Sequence, residues 1–143
     1  MKAFFIRGWL MLGLIFLAAG CATYSTQVDH GRSLKGIKRF FVVSNLNDNH
    51  AIDHQIAEAL KNDGREADNG PLTMMPDNTQ AVVTFQDHWT WDFGDHLVFL
   101  QIAVRDTRAE QSFASVTFSA KIPLHEDASV TIARLVDQLL DKK

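Results

Sequence analysis

The stretch QAVVTFQDHWTWDFGDHLVFLQIAVRD, residues 80–106, limits the fold more than any other part of the chain. Apolar and polar residues alternate on both sides of Gly94-Asp95, and a period of two marks half-buried strands. Glycine first in a two-residue loop suits a type II′ turn, so the stretch predicts a β-hairpin. Its register can be tested by parity. With Phe93 opposite His96, Trp91 faces Val98, Trp89 faces Leu100 and Phe85 faces Val104, all on one apolar face. Asp87, opposite Ile102, is the misfit. Thr84, Gln86, His88, Thr90, Asp92, Gln101 and Arg105 take the other face. A slip of one residue would exchange the faces, so the pattern fixes parity.

The flanking segments supply what such a sheet needs. RFFVVS (39–44) is a short run apolar on both faces, as in an interior strand. From about Asn49 to Asp63, Ile52, Ile56, Ala59 and Leu60 recur at helical spacing, and Gly64 stands where a helix-ending glycine belongs. Residues 65–79 hold Gly70, Pro71 and Pro76 and predict an irregular loop, with Met74 and Met75 tucked onto the core. FASVTFSAKI (113–122) predicts a third hairpin-linked strand. Val116 then lies opposite Ile102 and Phe118 opposite Leu100, with Ala114, Ala120 and Ile122 buried and Phe113, Ser115, Thr117, Ser119 and Lys121 outward. Ala128, Ile132, Leu135, Val136 and Leu139 predict a closing helix. The expected fold is α+β: a two-layer sandwich of a mostly antiparallel four-stranded sheet, order β-α-β-β-β-α, with two helices on one face and a polar outer face.

The amino terminus speaks to location. Lys2 and Arg7 precede an uncharged apolar run, Trp9 to Leu17, and Ala18, Ala19 and Gly20 lead to Cys21, the one cysteine among 143 residues. The run is too short to span a bilayer, which takes about 20 apolar residues, and its charge layout suits a removable signal. A lone cysteine also excludes an intramolecular disulfide, so the body must hold itself together by its core. Ala18-Ala19-Gly20-Cys21 resembles the lipobox of bacterial lipoproteins, with Ala18 where leucine is most usual. The resemblance implies a signal at 1–20, a diacylglyceryl group on the Cys21 thiol and a fatty acyl group such as palmitate on its new amino terminus. Two or more acyl chains, at about 0.8 kcal/mol per buried methylene, hold a protein stably where one is marginal. Ala22 after the anchor, rather than aspartate, implies release to the outer membrane, facing the periplasm. Residues 21–36 then serve as a lipid-anchored tether and 37–143 as the single folded domain.

The residues offer little chemistry beyond the anchor. Removing Lys2 and Arg7 from the 14 basic residues leaves 12 against 17 acidic ones, a net of −5. That balance argues against nucleic acid as a partner. Arg32, Lys35, Lys38 and Arg39 form a small basic cluster, read as solvated rather than lipid-bound. His50, Asp53 and His54 make the best case for a metal. Histidines at i and i+4 share a helix face and can chelate zinc, but a third ligand would have to come from His88, His96, Asp92 or Asp95. Asp92 with Asp95, and Glu126 with Asp127, flank a turn and a helix start, where structural roles suffice. Trp89, Trp91 and Phe93 could anchor a partner, yet their parity places them in the core.

The chain is similar in layout to small, mostly uncharacterised envelope lipoproteins of Gram-negative bacteria, with VVTFQDHWTWDFGDHL (82–97) carrying the likeness. It implies no activity. The sequence therefore predicts a lipid-anchored, non-enzymatic interaction or accessory module without cofactor or metal, in contact with the membrane through Cys21 and with an envelope protein partner. A metal-dependent hydrolase using His50 and His54, and a carrier of a small apolar ligand between the helices and the Trp89/Trp91 end, are the alternatives.

Overall fold

The computed structural model describes residues 22–141. Cys21 and the expected signal at 1–20 lie outside the described residues. Six strands, rather than four, form one mixed sheet of order β1-β6-β5-β4-β2-β3. They are β1 (Ala22–Val28), β2 (Arg39–Val43), β3 (Glu66–Gly70), β4 (Ala81–Trp91), β5 (Asp95–Asp106) and β6 (Ser112–Ala120). Two helices, α1 (Ile52–Asn62) and α2 (Ala128–Asp141), complete an α+β fold.

The two additional strands come from segments expected to be irregular. In ATYSTQV, the start of the expected tether, Tyr24 and Val28 pack against the core, and β1 pairs antiparallel with β6 from Ala22↔Ala120 to Val28↔Ala114. Leu34, in the turn that follows, is fully buried, and Arg65 Nη1 holds that turn by donating to the carbonyls of Leu34, Lys35 and Ile37. EADNG, at the start of the expected loop, forms β3, parallel to β2. Its Asp, Asn and Gly are poor strand formers, but one neighbouring strand suffices at a sheet edge. Pairing of β2 with β3 and β4 is parallel, so α1 is the crossover of a βαβ unit.

Both helices pack on one face, as expected. Ile52, Ile56 and Leu60 of α1 and Ile132, Leu135, Val136 and Leu139 of α2 are buried in one cluster with Phe40, Val83, Leu100, Ile102, Val116 and Phe118. Gly64 ends α1 with φ 82°; its N–H reaches the Lys61 carbonyl while the Arg65 N–H reaches that of Leu60, a complete Schellman cap. The outer face is not polar throughout. Phe41 and Val82, paired across β2 and β4, are buried outside the main cluster, on the face opposite the helices. The connection from β3 to β4 must cross β2, and Gly70 at its start lies over the Phe41 ring. Met74 stays exposed rather than tucked in.

The register of the long antiparallel strands matches the expected faces in the sheet body only. Leu100↔Phe118 and Ile102↔Val116 stand as read. Between β4 and β5 the pairing is Val83↔Val104, Phe85↔Ile102 and Asp87↔Leu100, two residues from the expected register and of the same parity. Asp87 accepts a 2.7 Å hydrogen bond from the Trp89 indole, which accommodates the carboxylate that fitted poorly. A bulge at His88/Trp89 then shifts the ladder, giving Trp89↔Leu97 and Trp91↔Asp95. A three-residue connection, 92–94, replaces the expected Gly94-Asp95 turn. A second irregularity at Val104/Arg105 turns Phe113 inward, where it is buried rather than outward. β6 stops at Ala120, leaving Ile122 exposed instead of buried.

Candidate functional site

β4 and β6 run toward the same end of the sheet as the start of β1. The 92–94 connection, the 121–127 connection, the start of α2 and the first residue of β1 therefore gather there. The loop after β2 climbs to join them: the His50 ring stacks on Trp89 at 3.7 Å, and its Nε2 lies 3.2 Å from Asp95 Oδ2. His96 Nε2 lies 3.0 Å from the Asp92 carbonyl, and its ring meets His125 edge-on at 4.7 Å. These contacts clasp the distal half of the hairpin to its neighbours.

This end also holds the exposed apolar surface. Trp91 is 72% exposed and Phe93 96%, their rings 5.9 Å apart, so neither is in the core where parity had placed them. Trp89 alone of the three is partly buried. Phe93 has φ 52°, a left-handed conformation uncommon for any non-glycine residue. Leu46 is fully exposed in the β2–α1 loop; Ile122 follows β6 and Val130 lies in the first turn of α2. Leu72 and Met74 lie on the connection leaving the same end of β3. Those complete the large exposed apolar side chains among the described residues.

The opposite end is different in kind. Arg32 pairs with Asp106 at 2.6 Å and lies over the Phe113 ring, and Arg39 pairs with Glu66 at 2.6 Å. Half of the basic cluster read from the sequence is thus neutralised locally, at the end away from Ala22.

The expected metal ligands do not converge. α1 begins at Ile52, so His50 precedes it, and Ala51 at φ 53° turns the chain between His50 and the helix. The i,i+4 argument for a shared helix face therefore lapses. His50 goes to Trp89 and Asp95, while His54 is exposed. Among the described residues, no three His, Cys, Asp or Glu side chains are grouped to hold a metal.

Asp53 is a structural tie. Burial pushes its carboxyl up, but hydrogen bonds from Ser44 Oγ, Asn69 Nδ2 and the His54 N–H outweigh this and hold it below the ordinary carboxylate value. It joins the ends of β2 and β3 to α1. Asp48 caps the same helix, accepting from the N–H groups of His50 at 2.8 Å, Ile52 at 2.5 Å and Asp53 at 3.4 Å. The sequence marks it: NLND (45–48), which ends in Asp48, reads as a turn with helix-capping residue types ahead of the helix.

Glu126 and Asp127 likewise serve α2. Asp127 accepts the Ser129 N–H at 2.8 Å, and hydrogen bonding from the Ser129 side chain and then from this N–H holds its carboxyl below the ordinary value. Glu126 pairs with Arg134, which donates a 2.6 Å hydrogen bond to the Tyr24 hydroxyl and so ties α2 to β1. A groove of about 520 Å³ lies beside that tie, lined by Tyr24, Ser25, Thr26, Gln138 and Asp141. Neither Trp89 nor Trp91, the end expected of a ligand carrier, lines it. No described helix is long and apolar enough to cross a membrane.

The fold recurs in known structures. The chain is similar to PelC from Paraburkholderia phytofirmans in two crystal forms of a dodecamer. One gives a TM-score of 0.59 at 14% identity over 83% of this chain and 95% of that one. The other, of a single-residue variant, gives 0.58 at 15% over 83% and 94%. A DUF4136 family protein from Bacteroides thetaiotaomicron aligns at 0.48 and 8% identity over 82% and 93%, a likeness too weak to bear on fold or function. No family model and no curated protein matches the chain.

Proposed function

We propose that this chain is a lipid-anchored lipoprotein of the Gram-negative envelope, a non-enzymatic interaction or accessory module held at the outer membrane and facing the periplasm. The observation that carries the reading is the sequence Ala18-Ala19-Gly20-Cys21, placed one peptide bond before the first strand. With β1 beginning at Ala22, the anchor leads straight into the sheet instead of into a free tether. An anchored body is thereby held against the membrane at one end. Ligand-poor geometry at His50 and His54 supports a role without metal chemistry, and the shared fold with PelC supplies a scaffold rather than an activity.

Fatty-acid labelling in cells tests the anchor. Cys21→Ala is expected to abolish the label and leave the signal attached; an unmodified Cys21 in mature, membrane-extracted protein would contradict the proposal. Metal content tests the non-enzymatic reading. The purified protein is expected to hold no stoichiometric metal and to keep its fold in chelator, whereas one tightly held zinc per chain, lost on His50→Ala, would restore the hydrolase.

The partner is proposed to be an envelope protein. The PelC structures are dodecamers, so a further copy of this chain is the first partner to seek, by light scattering on the mature protein.

A further inference from the structure

We infer that the Trp91–Phe93 hairpin tip is a second membrane contact, which enters the lipid interface beside the anchor and fixes the orientation of the body. The inference rests on the lipoprotein reading of Cys21. Its structural basis is the height of the tip relative to the start of β1. One row of the sheet runs through Thr23, Ser119, Phe99 and His88. Ala22 lies one residue above that row, while Trp91 lies three residues above it on β4. At about 3.3 Å per residue, Trp91 stands roughly 7 Å beyond Ala22 along the strands. Phe93, in the turn, stands farther still.

A cysteine joined to Ala22 and bearing diacylglycerol has its glyceryl group at headgroup level. The hairpin then points past that level into the bilayer, and a tilted sheet lays its tip in the interface. Amphipathic interfacial segments insert to a depth of about 5–10 Å, and tryptophan is enriched there because its ring is apolar with a polar N–H.

The side chains fit that occupant. In water, Trp91 and Phe93 would leave two large rings solvated at the tip of a hairpin whose turn holds Phe93 in an uncommon conformation. Two further large apolar side chains, Leu46 and Ile122, are exposed on neighbouring connections, among exposed polar residues that include Asp92, Asp95 and Lys121. Attraction to anionic lipid is not the driving force. Asp92 and Asp95 flank the tip, no Lys or Arg occurs from Trp89 to Val104, and the Arg32/Arg39 cluster lies at the far end. The favoured surface is zwitterionic lipid, bound through apolar contact and insensitive to salt.

The mature chain contains Trp89 and Trp91, so Trp91→Phe isolates the tip and leaves Trp89 as an internal reference. Mature protein purified from membranes is placed in phosphatidylcholine vesicles with brominated acyl chains, and intact mass on the same sample reads signal removal and the acyl load of Cys21. Acylated wild type is expected to lose tryptophan emission and shift to shorter wavelength, at low and high salt alike. Trp91→Phe should remain on the vesicles but lose that quenching. Equal emission from the two acylated proteins would overturn the hairpin contact and leave the anchor standing. Quenching with an unmodified Cys21 would sustain the hairpin contact and sink the anchor. Trp91 shielded from acrylamide in micelles of a brominated detergent that does not quench it would assign the tip to a protein interface and overturn the lipid contact.

Discussion

The helix-backed body of the sheet and its distal hairpin end are built from the same alternating sequence, yet they end in opposite environments. In the body, Leu100 and Phe118 face each other beneath the helices, with Ile102 and Val116 one step along, all almost fully buried. On the same hairpin, four and six residues beyond Asp87, the partner of Leu100, Trp91 and Phe93 are exposed. The helices cover the sheet only where their own apolar stripes reach, and a bulge at His88/Trp89 breaks the ladder at the edge of that cover. Beyond the bulge the hairpin is held by particular contacts, chiefly His50 with Trp89 and Asp95. Alternation records that a strand has two faces; a packed layer decides whether either is buried.

The contrast can be broken at graded cost. Leu100→Ala is expected to destabilise the fold by about 2–5 kcal/mol in urea or thermal unfolding, the range for emptying a packed core site. A smaller loss at that position would mean that the body is less tightly packed than its burial implies.

Asp48→Ala tests the seam between body and distal end, because its carboxylate takes three N–H groups at the start of α1. The expected cost is about 0.5–2 kcal/mol, as for other lost helix caps. An unchanged unfolding midpoint would remove Asp48 from that role.

Asp53 sharpens the seam through pH. Its folded carboxyl titrates below its ordinary value, so it contributes stability above the unfolded pKa, and this is lost as pH falls through the folded one. Asp53→Asn should therefore be destabilising at neutral pH, with the difference from wild type shrinking below about pH 4. A difference that stays constant from neutral to acid would show that the charge is not what matters.

Smallest of all, Trp91→Ala and Thr117→Ala should each change stability by less than about 0.5 kcal/mol, because neither empties a packed site. Equal losses for Trp91→Ala and Leu100→Ala would erase the distinction between the two regions.

What was legible in the sequence follows the same division. The pairs Ile102–Val116 and Leu100–Phe118 could be read because long, uninterrupted alternation under two amphipathic helices leaves one parity that buries the large residues. The faces of α1 and α2 were legible for the same reason, as was Gly64 at the end of α1. The hairpin tip was not, because a bulge leaves no mark in a hydrophobic pattern and moves Trp91 opposite Asp95 rather than Val98. β3 was hidden by Asp68, Asn69 and Gly70, which form a strand at the edge because β2 offers a partner. β1 carried a faint signal, Tyr24 and Val28 alternating with Thr23, Ser25 and Gln27, but its polarity and its place after the anchor suggested a tether. The distal clasp depends on His50 meeting Trp89 and Asp95, which are 39 and 45 residues away in sequence and thus beyond any local pattern.

The sheet begins at Ala22, immediately after Cys21, so that with Cys21 as the proposed anchor the hairpin end is the end held at the membrane. Amide hydrogen exchange over residues 22–28 tests it most directly. Residues paired with β6 should exchange as slowly as the β6 amides facing them, since the ladder Ala22↔Ala120 to Val28↔Ala114 must open first. Exchange at the rate of an unstructured peptide would contradict the claim, return this segment to a tether and free the body to turn at the membrane.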